Sequence, residues 1–112
     1  MSVETVLFEA DDGIGLMTIN RPEKMNAMTY ATMDELSAIL DRAEADPEIR
    51  VLIITGAGEK AFIAGGDIGE FYESIKAGVE LSLREFVRRG QRLFARMEHF
   101  PKPIIAAVNG YA

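Results

Sequence analysis

At 112 residues the chain has room for one hydrophobic core, so a single domain or part of one is expected. Apolar residues make up 48% and charged residues 27%, a balance found in globular chains and not in disordered or collagen-like ones. Eighteen acidic residues against twelve basic ones give a net charge of -6, which disfavours nucleic-acid binding, and the lack of cysteine excludes disulfides and thiolate metal sites.

The opening Met1-Ser2-Val3-Glu4 carries neither a basic nor an apolar leader, and no apolar run approaches the roughly 20 residues of a bilayer span. No export signal and no membrane segment are expected, and the cytoplasm is the expected compartment. Val3 to Glu9 and Ile14 to Asn20 read as the two strands of a β-hairpin around Asp11-Asp12-Gly13. Pro22 breaks the second strand, and a loop is expected to about Met28. Thr32-Met33-Asp34-Glu35 fits a capping box, with Met33, Leu36, Leu40 and Ala43 at helical spacing behind it and an end near Asp46-Pro47.

Val51 to Thr55 is a continuous apolar run closed by Gly56-Ala57-Gly58, which predicts a strand covered on both faces. A brief extended piece at Ala61-Phe62-Ile63 leads to Ala64-Gly65-Gly66, and a short helix is expected from Asp67 to about Ile75, interrupted by Gly78. Leu83, Phe86, Val87, Gly90, Leu93, Phe94 and Met97 mark one face of a longer amphipathic helix ended by Phe100-Pro101. The last element is a strand, Ile104 to Val108. Strand runs followed by helical patterns predict an α/β layered fold.

Three blocks, in order and at characteristic separation, resemble the enoyl-CoA hydratase/isomerase (crotonase) family: Ile19-Asn20-Arg21-Pro22-Glu23-Lys24-Met25-Asn26-Ala27-Met28, Ala61-Phe62-Ile63-Ala64-Gly65-Gly66-Asp67-Ile68, and Lys102-Pro103-Ile104-Ile105-Ala106-Ala107-Val108-Asn109-Gly110-Tyr111-Ala112. The resemblance covers the whole chain. It implies the N-terminal portion of a crotonase-like spiral of ββα units, within one domain of which residues 1–112 are the first part. It also implies an enzyme that binds an acyl-CoA thioester and stabilises the oxyanion of an enolate, with no metal or separate cofactor because CoA belongs to the substrate.

In that family two backbone amides face the oxyanion. One maps onto Gly66; the other is expected in a glycine triplet beyond Ala112, together with the acid/base carboxylates. A chain ending at Ala112 is therefore expected to be inactive alone. The resemblance further implies substrate contacts at Ala27, Ala64, Gly66, Asp67 and Ile68, with Lys24 offering a mobile cation to a CoA phosphate, and a homo-oligomer of one or two trimers. The alternative is a non-catalytic acyl-CoA-binding or subunit-interaction segment.

The residue types suit this chemistry independently. A thioester oxygen gaining charge needs N–H groups aimed at it, and losing one such donor costs roughly 3–4 kcal/mol of transition-state stabilisation. Two glycines let the backbone approach a ligand without a Cβ in the way. Taken alone, Ala64 to Asp67 reads equally as a strand-to-helix turn with a capping aspartate, Asn26 as a helix cap, and Lys24 as a solvated lysine. His99, at a helix end, reads as structural. Arg84, Arg88, Arg89, Arg92 and Arg96 read as a solvated helix face or subunit contact rather than an RNA-binding stripe. Glu70 and Glu73 are not assigned a role.

Overall fold

A computed structural model describes residues 4–112, with the side chains of 82 and 83 outside the description. Eight elements follow in order. A hairpin of β1 (Val6–Asp11) and β2 (Ile14–Ile19) leads through a 3-10 turn (Pro22–Lys24) to α1 (Tyr30–Ala45) and β3 (Val51–Gly56). After these come α2 (Ile68–Ala77), α3 (Val79–Glu98) and β4 (Ile104–Ala106). The expected first strand is displaced to Val6–Asp11; Val3 lies outside the described residues.

The strands form one sheet in the order β1-β2-β3-β4. β1 pairs antiparallel with β2, as a two-residue turn dictates, with φ of 50° at Asp12 and 82° at Gly13. β2, β3 and β4 run parallel, so α1 and the α2-α3 pair are the crossovers that parallel pairing requires. One face of the sheet packs on α1: Met17, Ile19, Leu52 and Ile54 meet Met33, Leu36, Ile39, Leu40 and Ala43 in a single cluster. Each of the leucine, isoleucine and methionine side chains, fully buried, contributes about 1.5–3 kcal/mol.

Three expectations are corrected. β3 is buried on one face only, because Leu52 and Ile54 point into the core while Val51, Ile53 and Thr55 are half-exposed on the other side. The capping box lies three residues earlier: the Thr29 hydroxyl accepts the Thr32 N–H at 3.1 Å, and the Thr32 hydroxyl accepts the Thr29 N–H at 3.3 Å. Glu35 instead accepts the Thr5 and Val6 N–H groups and fastens the start of β1 to α1.

The third concerns α3. Its inward line is Phe86, Leu93 and Met97, whereas Val87 and Phe94 stand exposed. Along α3, Arg96 reaches Asp41 of α1 at 2.7 Å and Arg89 reaches Asp34 at 3.4 Å, while Arg84 pairs within the helix with Glu80.

Candidate functional site

The three sequence blocks meet because each follows the carboxyl end of a parallel strand: the first leaves β2, the second follows β3, and the third leaves β4. In open α/β sheets that edge is where ligands bind. Two asparagines tie the blocks together. Asn26, fully buried with φ of 58°, accepts the Arg21 N–H and donates to the Ala57 and Ala61 carbonyls at 3.0 and 2.9 Å. It is therefore a loop fastener and not a helix cap. Asn109 reaches the same loop from β4, donating to the Gly56, Gly58 and Ala61 carbonyls and accepting the Gly56 N–H. The chain crosses itself so closely here that a Cβ on Gly56 would lie 2.3 Å from the Phe62 carbonyl oxygen.

From this anchored loop the chain runs past Met28 as a short parallel ladder. Met28 donates to the Gly65 carbonyl at 2.8 Å, and Asp67 donates to the Met28 carbonyl at 2.8 Å. Successive amides of an extended chain face opposite ways, so the Gly66 N–H between these two bonds points away from Met28. Among the described residues it has no hydrogen-bond acceptor. Ala64, Gly65 and Gly66 are all exposed, which makes the turn an open shelf. Behind the shelf stands Phe86, its ring 5.0 Å from Phe71 and 5.9 Å from Tyr30.

Asp67 faces inward. One carboxylate oxygen caps α2 by accepting the Glu70 N–H at 2.8 Å, and the other meets the Arg21 guanidinium at 2.9 Å. These contacts, the Glu70 amide first and Arg21 second, hold its carboxyl below the ordinary value of 3.8, against an opposing effect of burial. Both oxygens are thus engaged within the protein. Arg21 also donates to the Ala27 carbonyl.

Ala27 has both backbone groups occupied, since its N–H donates to Lys24. Lys24 is exposed in the 3-10 turn, close enough for its charge to act on Asp67. Ala64 donates to the Met25 carbonyl, and Ile68 projects from the first turn of α2 with 82% of its surface exposed. Glu70, given no role from sequence, accepts the Tyr30 N–H at 2.6 Å and so joins α2 to the first turn of α1.

His99 lies away from this edge, with Nδ1 2.9 Å from the Ala95 carbonyl. Among the described residues no three of His, Asp and Glu gather to hold a metal, and no helix is long and apolar enough to cross a membrane. A recess of about 540 Å³ lined by Asp11, Asp12, Asp46, Glu48 and Arg50 sits at the opposite, amino end of β3.

Comparison with known proteins agrees with this geometry. Residues 14–112 match the family described as enoyl-CoA hydratase/isomerase. The chain is 39% identical over its whole length to a crotonyl-CoA hydratase of Syntrophomonas wolfei subsp. wolfei, of which it covers 42%. It is 39% identical to a short-chain-enoyl-CoA hydratase of Clostridium acetobutylicum, of which it covers 41%. The crystal structure of an enoyl-CoA hydratase/isomerase from Xanthobacter autotrophicus Py2 superposes with a TM-score of 0.88 at 37% identity, over 97% of this chain and 40% of that one. The chain thus spans about two-fifths of the length of these relatives and shares their crotonase fold. It belongs to the enoyl-CoA hydratase/isomerase family.

Proposed function

We propose that this chain supplies the first half of an acyl-CoA thioester site, and that the whole protein is a hydratase or isomerase working through an enolate oxyanion. The observation that carries the reading is the Gly66 N–H: an amide on an open shelf, turned outward by its neighbours' ladder bonds and with no acceptor among the described residues. Such a donor is aimed before the substrate arrives, so little reorganisation opposes its bond to a thioester oxygen that gains charge. The start of α2 two residues later adds a favourable dipole.

The second amide donor and the groups that move protons come from sequence beyond Ala112, where the family places them. CoA enters as part of the substrate, without a separate cofactor. Ala27, Ala64 and Ile68 line its path, Lys24 meets a phosphate as a mobile cation, and Asp67 acts through the turn it fastens. The same reading makes the protein a cytoplasmic homo-oligomer, a trimer or a pair of trimers.

The test uses the full-length gene product and crotonyl-CoA, the substrate for which the Syntrophomonas relative is named. Loss of the enoyl-thioester absorbance with protein, and none without it, is expected. Tight binding of acyl-CoA with no turnover of any enoyl-CoA would instead assign a non-catalytic binding role.

A further inference from the structure

We propose that Arg21 is a positioning residue that holds the Gly66 amide on line with the oxyanion, an inference that rests on the function proposed above. Arg21 sits just past the carboxyl end of β2 and is itself immobilised. Its N–H donates to Asn26 Oδ1 at 2.9 Å, and its carbonyl accepts the Lys24 and Asn26 N–H groups, each at 2.9 Å. The side chain is 14% exposed.

From that fixed base one guanidinium reaches two segments. Nη1 donates to the Ala27 carbonyl, and Nη2 meets Asp67 Oδ2 at 2.9 Å, across 46 residues of sequence. Ala27 and Asp67 bracket the shelf: residue 28 forms the ladder that turns the Gly66 N–H outward, and residue 67 follows it directly. The cation therefore fixes both sides of the turn while touching neither the shelf's open face nor Gly66. A fork of donors in one plane can do this, whereas a lysine ammonium at that place offers one point charge on a shorter reach.

Losing the brace leaves a carboxylate with 16% exposure without its guanidinium partner, under only the weaker influence of exposed Lys24, and that carboxylate is also the N-cap of α2. The amide next to it then loses its fixed aim. Transition-state contacts are sensitive to displacement, about 100-fold in rate for a shift of 1 Å, while the contacts that hold CoA elsewhere are unaffected.

The experiment measures kcat and KM for crotonyl-CoA on full-length wild-type, Arg21→Ala, Arg21→Lys and Asp67→Asn proteins, with thermal unfolding of each alongside. Asp67→Asn keeps an N-cap side chain and removes the charge. Expected is a fall in kcat on the order of 100-fold for Arg21→Ala, and smaller falls for the other two, with KM within about threefold throughout. Variants matching an active wild type overturn the proposal alone, and so does a raised KM with kcat intact, which makes Arg21 a ground-state binding residue. Unfolding of all three variants overturns it too, by reducing Arg21 to a folding role. A wild type with no turnover overturns the functional reading and the proposal together.

Discussion

Gly65 holds φ at +116°, a region that side-chain-bearing residues rarely enter, and a Cβ there would meet nothing within 4 Å. Conformation alone demands glycine at this point. Its neighbour differs: a Cβ on Gly66 would come within 2.5 Å of the Phe86 ring, which Phe71 and Tyr30 hold in place. Replacing Gly65 by alanine should therefore cost about 1–3 kcal/mol through backbone strain with no steric contribution. Denaturant unfolding of the full-length Gly65→Ala protein would read this as a lower midpoint; an unchanged midpoint would mean that the turn relaxes freely. The need for small residues here was legible in the sequence, but the partner was not. Nothing in the local pattern links Gly66 to Phe86, twenty positions away on another helix, or Arg21 to Asp67. An ion pair formed across 46 residues leaves no periodic trace.

Among the elements, α2 depends on one side chain for its start. Asp67 caps it through the Glu70 N–H and is paired with Arg21, so its carboxyl titrates below 3.8 in the folded protein. A group whose folded value is depressed contributes stability that is complete above its unfolded value and is lost as pH falls through the folded one. Stability measured below about pH 3.8 should accordingly decline, and Asp67→Asn should remove part of that decline while lowering stability at neutral pH. Identical pH profiles for the two proteins would contradict the assigned pairing.

Most elements were readable because their signals are local. The Asp-Gly turn set the hairpin, and the spacing of Met33, Leu36, Leu40 and Ala43 set α1. The start of α1 was misplaced because its capping box uses Thr32 where the familiar pattern has a glutamate or glutamine, while Glu35, which completes that pattern, holds β1 instead. The two-sided burial expected of β3 failed for a related reason. An unbroken apolar run says that both faces are apolar, and only packing decides which is covered.

Across the whole molecule, parallel pairing of β2, β3 and β4 gathers three separated blocks at one edge of the sheet, where Asn26 and Asn109 hold the loop that leads to Gly66. The order and separation of the blocks were visible in the sequence. Their meeting was not, because it arises from pairing of distant strands, locked by hydrogen bonds from asparagine side chains to distant backbone, which composition and periodicity do not encode. Under the proposed function the sheet is a scaffold whose hydrogen-bonded loops aim the Gly66 amide outward, as preorganised electrostatic catalysis requires.

The most direct measurement of that claim is the amide resonance of Gly66 in isotopically labelled full-length protein, followed while an unreactive saturated acyl-CoA thioester is added. The account predicts a large, saturable downfield shift of the Gly66 N–H as it gains an acceptor, with smaller changes at Ala64 and Ile68. A Gly66 resonance that stays in place while the acyl-CoA demonstrably binds would contradict it.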